Sequence, residues 1–180
     1  MSFVRVVVLL LCCMPFLGAG AEPQVCVKKV FENYCLGGSL KQLLEQKPPS
    51  MQPRTKGERS GVVYQKDNEK IYVMAYQGNI YKIVHTYEPE TLVTLKQLQR
   101  RLQQEYGDYQ DRSDYPEQTQ NQSRRLGYIR RGEGELRYVW QPPQQSWRVE
   151  LGWARKLGIN ISFYVNELDA LQEEAALKGL

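Results

Sequence analysis

One histidine and four cysteines in 180 residues, with no C-x-x-C, H-E-x-x-H or G-x-S-x-G pattern, leave little from which to build a catalytic centre. Any Ser-His-Asp or histidine-rich metal arrangement would have to centre on His85. The charge surplus is small: 24 Lys and Arg against 20 Asp and Glu give +4, too little to mark a nucleic-acid binder without a concentrated basic face. No apolar run reaches the ~20 residues that cross a bilayer as a helix. Ordinary Gly and Pro usage and a mean hydropathy of -0.55 exclude collagenous, coiled-coil and disordered chains. No glycine loop of the phosphate-cradling kind follows a strand: Gly132-Glu133-Gly134 has only the glycines of a tight turn. These gaps predict a protein with no catalytic residues, no metal and no cofactor.

What is present begins with a charge-then-apolar order. Met1 to Arg5 is followed by apolar residues from Val6 to Leu17 and the small-residue site Ala19-Gly20-Ala21. This is the pattern of a secretory signal peptide over residues 1–21, and it predicts a periplasmic or secreted protein with no stable membrane span after processing. Cys26 and Cys35 then remain, and a disulfide is the expected fate of such a pair in an oxidising compartment. Val27, Val30, Phe31 and Tyr34 between them nevertheless follow helical spacing. A continuous helix would hold the two backbones roughly 13 Å apart, and a bridge needs Cα atoms within ~7 Å. Either the helix is shortened or bent so that Cys26 folds back on it, or the bond is absent.

Further along, Gly37-Gly38 stops that segment, and Ser39 with Gln42 forms an S-x-x-Q capping pattern for a short helix carrying Leu40, Leu43 and Leu44. Residues 47–61 read as a Pro- and Lys/Arg-containing loop. Lys70 to Tyr76 and Ile80 to Tyr87 read as a hairpin, extended by a strand near Gly61 to Gln65. With Gly78-Asn79 as its turn, Tyr76 faces Tyr81, Met74 faces Ile83 and Tyr72 faces His85. Pro89 opens a helix with the stripe Leu92, Leu95, Leu98, Leu102 and Tyr106, and Gly107 ends it. Residues 108–125 are polar and aperiodic. Period-two stripes through Leu136, Tyr138 and Trp140, through Trp147, Val149, Leu151 and Trp153, and through Ile159, Ile161 and Phe163 predict three antiparallel strands. Asn166 caps a last helix with Leu168, Leu171, Ala175 and Leu177.

The expected fold is α+β, helices on an antiparallel sheet, in two tandem helix-plus-meander units over residues 22–88 and 89–180. Twelve tyrosines are a further feature, and Tyr72, Tyr76 and Tyr81 fall together on one hairpin face. Rings with a polar tip suit protein interfaces, so these three form the candidate contact surface, with Arg130 and Arg131 as rim charges. Glu133, Glu135 and Glu150 read as solvent-side strand residues. The alternative function is a cell-wall polysaccharide binder or hydrolase using Trp140, Trp147 or Trp153 and a glutamate.

The run Gly37-Gly38-Ser39-Leu40-Lys41-Gln42-Leu43-Leu44 before the first sheet, and the helix ending at Tyr106-Gly107 before the second, resemble the BamE-like and β-lactamase-inhibitor-protein-like architecture. In those families helices cover one side of an antiparallel sheet and the other side meets a partner protein. The resemblance implies a binding role toward another envelope or secreted protein, and no family residue is carried over.

Overall fold

The structure, a computed structural model, describes residues 26–117 and 121–178. Residues 1–21, where a signal peptide is expected, lie outside them. Cys26 and Cys35 are bonded, with Cα atoms 5.4 Å apart. The helix expected between them is replaced by a hairpin of β1 (Lys28–Val30) and β2 (Tyr34–Leu36). Its turn places Phe31 and Glu32 at φ 46° and 69°. Such a turn reverses the chain in three residues, Phe31 to Asn33, as the bridge requires, and Val30 and Tyr34 are both buried, which imitates helical spacing in the sequence. The chain then enters α1 (Leu40–Gln46), where the Ser39 side chain accepts from the Gln42 N–H. The expected pair of helices is therefore a hairpin and one helix.

Four strands follow: β3 (Arg54–Lys56), β4 (Arg59–Lys66), β5 (Glu69–Tyr76) and β6 (Asn79–Tyr87). Next come α2 (Leu92–Tyr106), β7 (Gln110–Asp111), α3 (Gln122–Arg131), β8 (Leu136–Trp140), β9 (Trp147–Ala154), β10 (Gly158–Val165) and α4 (Asn166–Lys178). The helix α3 occupies part of the stretch expected to be a loop. Asn121 accepts from the N–H groups of Ser123 and Arg124 at its start, and only Ile129 is buried in it. That single anchor is too sparse to show as a periodic stripe.

Strands β3 to β10 form one antiparallel sheet in the order β3-β4-β5-β6-β10-β9-β8-β7. The two halves expected on either side of residue 89 meet edge to edge, β6 pairing β10 from Ile159↔Tyr87 to Tyr164↔Lys82. The inner face carries Val62, Val73, Ile83, Phe163, Val149 and Trp140, and packs with Leu40 and Leu43 of α1, Leu95, Leu98 and Leu102 of α2, and Ile129 of α3 in one core. The α2 stripe is as read from the sequence. The Trp140 indole N–H, on a fully buried ring, donates to the Gly107 carbonyl at the end of α2 at 2.9 Å. Among the described residues, α4 is the helix that packs on the outer face, through β6 and β10. Its expected apolar stripe holds it only in part: Leu168 is partly buried against the core, Leu171 and Leu177 are exposed, and its one buried residue is Asp169.

Candidate functional site

The β5–β6 turn sits at Gln77-Gly78, both with positive φ, and not at Gly78-Asn79. Gln77 gives no sequence signal for such a conformation, and the displaced turn slides the pairing by two residues, which leaves the faces as expected until a bulge further along the hairpin changes them. Ile71 now pairs with His85 and Val73 with Ile83 on the inner face; Tyr72 pairs with Val84 and Met74 with Lys82 on the outer face. Met74 opposes Lys82 and Ala75 opposes Ile80, so Tyr81 is the extra residue of a β-bulge. That bulge returns Tyr81 to the neighbourhood of Met74, whose sulfur its hydroxyl approaches at 3.9 Å.

Of the three tyrosines expected to form a contact surface, Tyr72 is half-buried, whereas Tyr76 and Tyr81 are 8% and 7% exposed. The Tyr76 hydroxyl donates to Glu58 at 2.9 Å. Arg130 and Arg131 are exposed at the end of α3, which packs on β9 against the inner face. Arg131 pairs with Glu133 at 2.7 Å and lies over the Tyr128 ring. The fold thus keeps the tyrosines together and separates them from both arginines. Trp140, Trp147 and Trp153 are 0%, 6% and 5% exposed, all on the inner face, and present no stacking platform.

The cations beside the tyrosines come from residues that looked like loop. Register places Arg54 beside Gly61 and Gly61 beside Met74, and Lys56 beside Arg59 and Arg59 beside Tyr76. Arg54, Lys56 and Arg59 therefore project on the same outer face as Tyr72 and Met74. The alternation Arg54-Thr55-Lys56 was the available signal, obscured by Pro53 just before it. A groove of about 570 Å³ runs here, lined by Arg54, Lys56, Arg59, Gly61, Met74 and Tyr81 among others.

Across the sheet the outer face becomes a charged network. The Arg148 guanidinium meets Glu150 at 2.9 Å and Asp169 at 2.6 Å, and lies 4.1 Å from the centre of the Tyr164 ring. Burial works against its charge, but Glu150 and Asp169 outweigh that and hold its pKa above the ordinary value. Glu150, expected at the solvent side, is buried and ion-paired. Lys82 stands over the Tyr164 ring at 4.5 Å, and burial lowers its pKa against the pull of Glu150 and Asp169. Burial raises the Tyr81 hydroxyl, with Asp169 adding to the effect.

His85 lies on the inner face, wedged between Phe31 and Tyr87 with ring centroids at 4.9 and 4.4 Å. Its Nε2 meets Glu69 at 2.9 Å, while its buried Nδ1 has no partner. Burial lowers its pKa below 6.5, opposed by Glu69. The unfolded chain then binds more protons than the folded one as pH falls through and below 6.5, so the contribution is present above that pH and lost below it. Urea midpoints between pH 7 and pH 5 should fall more for the wild type than for His85→Gln. Equal falls would place the pH sensitivity elsewhere.

No family model and no curated protein matches this chain. Among solved structures it is similar to a cysteine-rich secretory protein from Staphylococcus aureus subsp. aureus Mu50, at 11% identity and a TM-score of 0.43, over 73% of this chain and 45% of that one. The chain thus spans less than half of that protein's length, and a likeness at this level carries no argument about function.

Proposed function

We propose that this protein is an exported, non-catalytic binding module that meets another envelope or secreted protein through the outer face of β4 and β5. The observation that carries the reading is the asymmetry of the sheet. Its inner face is closed by α1, α2, α3 and the β1–β2 hairpin, whereas Val63, Tyr72 and Met74 on the outer face remain half-exposed beside Arg54, Lys56 and Arg59. Ring and thioether side chains next to cations are the usual make-up of a protein contact patch. The Cys26–Cys35 bond supports residence in an oxidising compartment, periplasmic or extracellular. His85, the one imidazole, is packed among rings, and the buried carboxylates Glu150 and Asp169 are engaged by Arg148, which favours binding over proton-transfer chemistry. The BamE-like and β-lactamase-inhibitor-protein-like resemblance points the same way.

Affinity capture from the exported fraction with the wild type, with Tyr72→Ala/Met74→Ala and with Arg130→Ala/Arg131→Ala tests this. A protein retained by the wild type and the arginine variant, but lost with the first pair of substitutions, is the expected result. Retention by all three forms, or saturable glycan binding in place of a protein, contradicts it.

A further inference from the structure

Resting on that reading, we infer that the corner between the β3–β4 hairpin and α4 is a binding site for an acidic, extended peptide segment bearing an apolar side chain beside its acids. Arg54 and Lys56 are exposed on the edge strand and have no acidic partner among the described residues. Arg59 donates to the main-chain carbonyl of Gln172 at 2.9 Å, which orients its guanidinium without cancelling its charge. The nearby acids are largely engaged: Glu58 accepts from Tyr76 and Gln77, and Glu174 pairs with Lys178 at 2.6 Å. Glu173 on exposed α4 is the remaining carboxylate that acts on Tyr81.

Below the cations the floor is apolar and open. Met74 and Tyr81 line it, and a Cβ added at Gly61 would meet nothing within 4 Å. Arg54 and Lys56 stand two residues apart on one strand face, a repeat of about 6.5–7 Å that an extended chain with acids at alternate positions reproduces. The apolar floor favours a peptide over a lipid headgroup or free phosphate, which would satisfy the cations and leave the partly exposed Met74 wet. The same cations set specificity: a second copy of this edge would bring cation against cation, so self-pairing is disfavoured while an acidic strand is accepted.

Fluorescence polarisation of a labelled peptide containing Glu-Thr-Glu-Leu, against its Gln-Thr-Gln-Leu counterpart, tests the proposal on the full-length protein. Saturable binding of the acidic peptide alone is expected, weakened about tenfold or more by Arg54→Glu/Lys56→Glu and by added salt. Gly61→Leu fills open space, so it should weaken binding to a similar degree while leaving the circular dichroism spectrum and melting temperature unchanged. Equal binding of the two peptides, or binding indifferent to Gly61→Leu, overturns the site. So does cation-dependent binding to phosphatidylglycerol vesicles with none to the peptide. If peptide binding fails while capture through Tyr72 and Met74 persists, the acidic-groove inference falls and the protein-binding reading stands.

Discussion

Asp169→Ala is expected to lower folding stability by about 3 kcal/mol, the scale seen when one partner of a buried ion pair is removed. Asp169 is 5% exposed and its Oδ2 meets Arg148 at 2.6 Å, while Arg148 also donates to Asn166 Oδ1 at 3.3 Å. Without the carboxylate, a guanidinium with a largely buried side chain keeps only Glu150 as an ionic partner. The helix also loses its one buried residue, leaving the partly buried Leu168 as its apolar contact with the core while Leu171 and Leu177 stay exposed. Asp169→Asn keeps an accepting oxygen and should cost about half as much. Urea denaturation measures both values; a loss below about 1 kcal/mol for Asp169→Ala would put the pair in the class of weak surface bridges.

Opening the Cys26–Cys35 bond should cost about 3 kcal/mol in the loop-closure picture, since it cross-links residues nine apart. For a chain of this size that corresponds to a fall of roughly 6–12 °C in melting temperature. The consequence extends beyond the loop, because the hairpin tip sets Phe31 against His85 at 4.9 Å and Phe163 at 5.5 Å. Thermal melting of Cys26→Ser/Cys35→Ser against the oxidised wild type measures it, and unchanged melting would show that the core holds the hairpin without the bond.

The α+β class, the C-terminal meander and α2 were legible because each rests on one strong period: alternating Trp147, Val149, Leu151 and Trp153 in one case, Leu95, Leu98 and Leu102 in the other. What escaped depends on backbone conformations that the residues there do not advertise. Phe31, Glu32 and Gln77 adopt positive φ where Gly or Asn would have given a signal. The first pair turned an expected helix into a hairpin; Gln77 moved a turn by one residue, and the bulge at Tyr81 then sent Ile83 and His85 to the core side. The union of two expected units into one sheet depends on β6 meeting β10 across more than seventy residues, a pairing that no local pattern specifies.

The candidate site was legible in part. Tyr72, Tyr76 and Tyr81 were recognisable as a group, but their cationic neighbours are set by the β3–β4 and β4–β5 registers, which bring Arg54 and Lys56 to them and leave Arg130 and Arg131 on α3. Asp169 was hidden for the opposite reason. A carboxylate within an apparent apolar helix reads as solvent-facing until a buried arginine on another strand is seen to meet it.

Site-specific photo-crosslinking separates contact through the outer sheet face from contact elsewhere, with the reactive amino acid placed at Tyr72 on the outer face or at Val93 on the exposed side of α2. In the native exported fraction, position 72 is predicted to give a discrete protein adduct and position 93 none. Adducts from position 93 with none from position 72 would contradict the account.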